Sequence, residues 1–215
     1  MRLIRSLLRV AAGGALLAAA LLVAARFGAG TAVTDDPLLG IDPARLGEVA
    51  ALGAAVAVLA SLLLRALPAL VARALQGGFW VGAAAMAVIH QGATFLLFRL
   101  FAAVPSQGFN MAPMPEWGGA PEFFVLVLAG GLAGMVLGLL LRFLPLPDLL
   151  LGVIFGVLGL SALSAVLPLP PLTLASPGWW ANLVINGGWG LASALMLRPL
   201  ELPAAGLADF ASGRG

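Results

Sequence analysis

The chain holds one histidine, His90, inside a long apolar run over 78–104, with Gln91 beside it. An imidazole can carry a proton, ligate a metal or haem iron, or simply hydrogen-bond. The run exceeds the roughly 20 apolar residues that a bilayer-spanning helix needs, and its ends put His90 and Gln91 near mid-depth. A titratable group at that depth is costly unless partnered, so it marks a centre of function or of packing. Met86 lies one turn earlier on the same face. A lone histidine cannot supply paired axial ligands within one chain; such a site would need a second copy or another subunit. Three readings stand: a neutral imidazole bonded across a helix seam, a relay or substrate contact helped by Gln91, and a cofactor ligand. The first is the expectation, with no cofactor and no metal.

Asn182 and Asn186 come next. They are four apart and share one face of the last apolar run, followed by Gly187, Gly188, Trp189 and Gly190. Amides in lipid must find partners, so they read either as a polar lining opposite His90 and Gln91 or as glue between helices. Only Asn186 approaches His90 in depth. The candidate binding centre is therefore His90, Gln91, Asn182 and Asn186, with Trp189 close by. No catalytic residue is expected: the sequence has no phosphate loop, zinc-ligand spacing, nucleophile elbow or dinucleotide fingerprint. All nine acids sit at run ends or in loops, which counts against an ion-coupled carrier.

The elements that position these residues follow from composition. Of 215 residues, 62% are hydrophobic and 9% charged, and mean hydropathy is +1.10. A soluble domain carries about 25% charged residues, and so few charges cannot cover a water-facing surface. Runs of this length without period-2 alternation are helices rather than barrel strands. The expected fold is all-α: one polytopic membrane domain over 1–200, a bundle of six transmembrane helices at about 7–26, 46–66, 78–104, 121–142, 148–168 and 178–198. A short flexible cytoplasmic tail follows at 201–215. Prolines at 43, 68, 105, 121, 145, 147, 168, 177 and 199 bracket the runs, as residues tolerated only at helix starts or past helix ends. The first run, 7–25, is longer than the usual 7–15-residue core of a signal peptide, so it reads as an uncleaved span. A cleaved leader ending near Gly30-Thr31-Ala32 is the other reading. The segment 68–76 reads as an amphipathic continuation of the second helix, or as a piece lying along the inner interface. The proline-rich outer loops, 105–121 and 168–178, read as an ordered cap, with Trp117, Trp179 and Trp180 in the outer aromatic belt.

Arginine placement sets orientation. With the N-terminus inside, Arg2, Arg5, Arg9, Arg65, Arg73, Arg142, Arg198 and Arg214 are cytoplasmic, leaving Arg26, Arg45 and Arg99 outside. Both termini are then cytoplasmic. The eleven basic residues are all arginines, scattered singly, and net charge is only +2. That is no phosphate-binding stripe, so nucleic acid is not an expected partner. With no cysteine, disulfides and thiolate metal sites are excluded.

Glycine spacing gives the packing expectation. Gly130, Gly134 and Gly138 form two consecutive small-xxx-small pairs; Gly152–Gly156 and Gly78–Gly82 are others. Such residues let helix backbones approach closely where no hydrophobic drive exists. The stretches 62–68 and 139–145 are alike, as a duplicated hairpin would make them. Equally, each helix running inward needs a snorkelling arginine followed by a breaker.

These motifs together resemble an uncharacterised family of small bacterial multi-pass inner-membrane proteins. The matching segments are His90-Gln91-Gly92, Met111-Ala112-Pro113-Met114-Pro115, Gly130-Gly131-Leu132-Ala133-Gly134 and Asn186-Gly187-Gly188-Trp189-Gly190, within about 77–197. The chain departs from that pattern at Ala129 and Ala133, where tryptophans are expected. The resemblance implies a shared fold in the bacterial inner membrane and no activity. Two function classes follow from the residues. One is a non-catalytic accessory or scaffold subunit, partnered by the lipid bilayer, by itself or by other membrane subunits. The other is a carrier or channel with a polar site at His90, Gln91 and Asn186. A water-accessible cavity of a few hundred cubic ångströms lined by His90 and Asn186 would favour the second, and a sealed, fully hydrogen-bonded seam the first.

Overall fold

A computed structural model describes residues 2–28, 41–117, 119–166 and 179–201. The outer loop 168–178, the cleavage-site reading at Gly30-Thr31-Ala32 and all but the first residue of the tail lie outside the described residues. Six helical rods account for nearly all of the described chain. They are α1 (Arg2–Gly28), α2 (Pro43–Ala66), a rod made of α3 (Ala69–Ala85), a π-turn (Met86–His90) and α4 (Gln91–Phe101), then α5 (Glu122–Phe143), α6 (Asp148–Val166) and α7 (Trp179–Glu201). The expected all-α class holds. Among the described residues, four stretches are long and apolar enough to cross a membrane: Leu3–Ala24, Pro43–Ala66, Ala69–Phe101 and Glu122–Phe143. A shorter apolar helix covers Asp148–Ser164.

The chain divides into two compact units, Met1–Ala72 with Met111–Pro121, and Arg73–Asn110 with Glu122–Gly215. In the first, α1 and α2 form an antiparallel hairpin. Gly14 meets Gly53 backbone to backbone, with Ala18 and Ala57 alongside, and Arg65 donates to Ser6 Oγ at 2.7 Å. Helix α2 begins where the Asp42 carboxylate accepts from the Ala44 amide at 3.0 Å, with Pro43 in the first turn. It ends at Leu67, which is extended (φ −90°, ψ 154°) because Pro68 follows. No residue of α2 is buried. The same unit carries a two-stranded ladder, β1 (Pro113–Met114) against β2 (Ala120–Pro121), antiparallel around a 3-10 turn at Pro115–Trp117. The 105–121 loop is thus ordered over its described residues.

The segment 68–76 corrects the sequence reading. It neither continues α2 nor stands alone: Ala69 opens α3, and the third rod runs unbroken to Phe101. Proline at 68 breaks the preceding helix yet is tolerated at the head of the next, where its missing amide would be unpaired anyway. Likewise Pro199 does not end the last helix, which runs to Glu201.

In the second unit, two antiparallel helix pairs are built on glycine. A Cβ at Gly134 would strike the Gly78 carbonyl oxygen, one at Gly82 the Gly130 carbonyl, and one at Gly138 the Ala74 carbonyl at 2.6 Å. Helices α3 and α5 therefore touch main chain to main chain. Helices α6 and α7 repeat the device, with Gly152 against Gly190 and Ala194, and Gly156 against Asn186 and Gly190. Between the pairs lies a core of Ala85, Met86, Leu126, Ala133, Leu160 and Trp189. A second cluster joins Leu137 and Leu141 to Leu151, Ala194 and Leu197.

Candidate functional site

The site is built on the π-turn. Along the third rod, Gly78, Gly82, Met86, His90 and Thr94 are all buried, a spacing of four throughout. A regular helix over-rotates by about 40° at each such step. The wide turn over Met86–His90, closed by the Gln91 amide bonding back to the Met86 carbonyl, takes much of that drift back. Met86, His90 and Thr94 stay on one inward face while Val88 and Leu96 point out. Such turns recur at functional positions.

His90 is 4% exposed, Gln91 3%, and Asn186 and Trp189 0%. The structure brings His90, Gln91 and Asn186 together, with Trp189 buried further along α7. The Asn186 side chain reaches the imidazole from α7. Gln91 Nε2 lies 3.4 Å from His90 Nδ1, and Gln91 Oε1 accepts the Phe109 amide at 2.7 Å. That second bond orients the Gln91 amide: its oxygen faces Phe109, so its NH2 faces the ring. Nδ1 is then the acceptor, and the ring proton belongs on Nε2. Nε2 makes no hydrogen bond among the described residues, and Asn186 is the polar side chain across the seam that reaches the ring. Trp189 Nε1 donates to the Gly82 carbonyl at 2.9 Å, tying α7 to the α3–α5 pair, and its ring lies against Phe155.

Asn182, one turn nearer the start of α7, is only half-buried and marks the edge of the seam. The glycines 130, 134, 138, 152 and 156 all lie in helix crossings, as their spacing suggests. Thr94, whose hydroxyl donates to the His90 carbonyl at 2.8 Å, and Ser193, fully buried on α7, were not singled out by sequence. Thr94 had a signal, since a threonine four residues after His90 can bond back along the helix.

The unforeseen part is the loop after α4. Ala102 takes the left-handed conformation (φ 48°), and its amide donates to the Phe98 carbonyl at 3.2 Å, the five-to-one bond of a left-handed helix end. The chain then folds back along α4. A Cβ on Gly108 (φ 71°) would meet the Gln91 carbonyl at 2.8 Å and the Phe95 amide at 3.3 Å. Gly108 therefore lies about 12 Å back from the end of the helix, eight residues at about 1.5 Å each. Gly108 also donates to Ser106 Oγ at 3.2 Å. Phe109 follows with φ 48°, a conformation that costs a bulky residue about 1–3 kcal/mol. Asn110 closes the loop on α5: its Nδ2 donates to Glu122 Oε2 at 2.6 Å, and its carbonyl accepts the Phe123 amide at 2.9 Å.

Chemically, the centre is a buried polar seam in which His90 Nε2 and Ser193 Oγ make no hydrogen bond among the described residues. His90 and Asn186 can hold helices in register, and Gln91 holds the returning loop. Among the described residues, no group of three or more His, Cys, Asp or Glu could hold a metal ion. Comparison with protein-family models, with curated proteins and with solved structures finds no match.

Proposed function

We propose that the chain is a six-span protein of the bacterial cytoplasmic membrane, with both termini inside, acting as a non-catalytic accessory or scaffold subunit of a membrane complex. The observation that carries this reading is the burial of His90 and Asn186, at 4% and 0% exposure, in a seam between the π-turn and α7. A carrier would need the same residues to line a space that water and solute can enter. Two further features support a scaffold. Helices α3 with α5, and α6 with α7, are joined by backbone contact, which suits a rigid body. Helices α1 and α2 present Leu16, Leu17, Leu52, Val56 and Leu59 outward, apolar surface for lipid or for another membrane subunit. The bacterial inner-membrane assignment rests on the arginine asymmetry and the motif resemblance.

The test pairs two measurements on the full chain. Crosslinking in intact membranes, followed by native electrophoresis after mild solubilisation, is expected to give a discrete band well above the 21.7 kDa of the chain. Proteoliposomes holding the purified protein are expected to show no protein-dependent solute uptake. A monomer in the first experiment with saturable uptake in the second would overturn the scaffold reading.

A further inference from the structure

The returning loop and the start of α5 border a shallow, largely open cleft of about 430 Å³, lined by Pro105, Ser106, Gln107, Asn110 and Glu122. It belongs wholly to the second unit and is distinct from the His90 seam. Its chemistry is one-sided. The lining holds one carboxylate, two amides and one hydroxyl, and no basic side chain.

The cleft is held in shape from four directions. Gln91 Oε1 fixes the Phe109 amide at 2.7 Å, and Ser106 Oγ accepts the Gly108 amide at 3.2 Å. Asn110 Nδ2 holds Glu122 Oε2 at 2.6 Å, while the Asn110 carbonyl takes the Phe123 amide at 2.9 Å. The loop keeps Phe109 left-handed (φ 48°), a strained choice at a position where most loops would place glycine. Phe109 stacks on Phe123 with ring centroids 5.9 Å apart. Backbone strain held in place by surrounding bonds is characteristic of ligand clamps. A site already shaped loses less freedom when it binds.

We infer that this cleft is a binding site for a small polar solute bearing a primary ammonium group, with Glu122 as its counter-charge and Ser106, Gln107 and Asn110 as hydrogen-bonding partners. The single carboxylate disfavours anions. An inorganic divalent cation would want six or more oxygen ligands drawn close around it, which one carboxylate in so open a space does not supply. An ammonium needs only three acceptors, and a charge-assisted bond to a carboxylate is the strongest of them. The inference stands whether or not the chain is a scaffold, because it rests on a different surface.

The test uses the full chain in lipid nanodiscs, titrated calorimetrically with 4-amino-1-butanol and, in parallel, with its uncharged isostere 1,4-butanediol and with Ca²⁺. Saturable binding of the amino alcohol alone is expected. Glu122→Gln should weaken it at least about tenfold with the melting temperature kept, since glutamine still offers an oxygen to Asn110. Should that variant fail to fold, Ser106→Phe, which fills the cleft and leaves the carboxylate intact, should abolish binding. No saturable binding at millimolar amino alcohol would overturn the assignment. So would equal binding of the diol, preferential binding of Ca²⁺, or unchanged affinity in both variants.

Discussion

His90 has one ring proton to place, and its neighbours decide where. The Phe109 amide fixes the Gln91 side chain, that side chain satisfies Nδ1, and Nε2–H is left to face Asn186 from within a site only 4% exposed. The cost of disturbing this arrangement depends on what the replacement leaves behind. His90→Leu removes the ring and leaves the Gln91 amide nitrogen and Asn186 facing an apolar side chain. Buried polar groups left without partners cost about 1–3 kcal/mol. His90→Gln keeps an amide in the seam, and a hydrogen bond between membrane helices is worth about 0.6–2 kcal/mol, so its loss should be the smaller. Thermal unfolding of the purified variants in one detergent should rank wild type above His90→Gln above His90→Leu. Equal melting temperatures for all three would remove the seam as a structural element. At this scale the sequence was informative about His90, Gln91, Asn186 and Trp189, since polar groups in apolar runs are few and must meet. It was silent about Phe109, because a backbone amide that returns to a helix 18 residues earlier leaves no mark in residue type.

Among the elements, the glycine crossings give the sharpest contrast. Gly134 and Gly92 are both helical glycines. Yet a Cβ at Gly134 would strike the Gly78 carbonyl oxygen and come within 2.7 Å of the Gly82 Cα, whereas one at Gly92 would meet nothing within 4 Å. Gly134→Ala must push α3 from α5, and overpacking of this kind costs about 1–3 kcal/mol. Gly92→Ala should be neutral, or stabilising by up to about 1 kcal/mol, because alanine loses less backbone freedom in a helix. Chemical or thermal unfolding of the two single variants checks the pair. If both behave alike, the close approach of the two helices is wrong. Small-residue spacing made Gly130, Gly134, Gly138, Gly152 and Gly156 legible as contact points. It could not say that α5 meets α3 and that α6 meets α7, because every such stripe can pair with any other. The π-turn was equally hidden. It answers a four-residue spacing of buried positions that only tertiary packing creates, and Pro68 marks a boundary without saying which helix owns the residues after it.

For the whole molecule, the helices follow the apolar runs in order, and among the described residues four stretches are long and apolar enough to cross a membrane; the proposed orientation, with both termini inside, can be tested directly. The chain has no native cysteine, so single engineered cysteines report sidedness directly. Ser106→Cys, after the third rod, is expected to react with an impermeant maleimide added to intact cells. Leu146→Cys, between α5 and α6, should react only once the membrane is opened. The reverse pattern would invert the topology. Hydropathy sufficed to define the apolar runs because the bilayer imposes a length. The division into two compact units was not legible, since unit membership depends on which helices touch, and all six runs are alike in composition.

The central claim is that His90 is closed off from water inside the protein. The most direct measurement compares His90→Cys with Ser106→Cys in intact membranes, following the rate of reaction with a small impermeant thiol reagent from either side. The account predicts prompt modification at 106 and none at 90 until the protein is unfolded. Comparable rates at both positions would reveal a water-filled route to the seam and contradict the account.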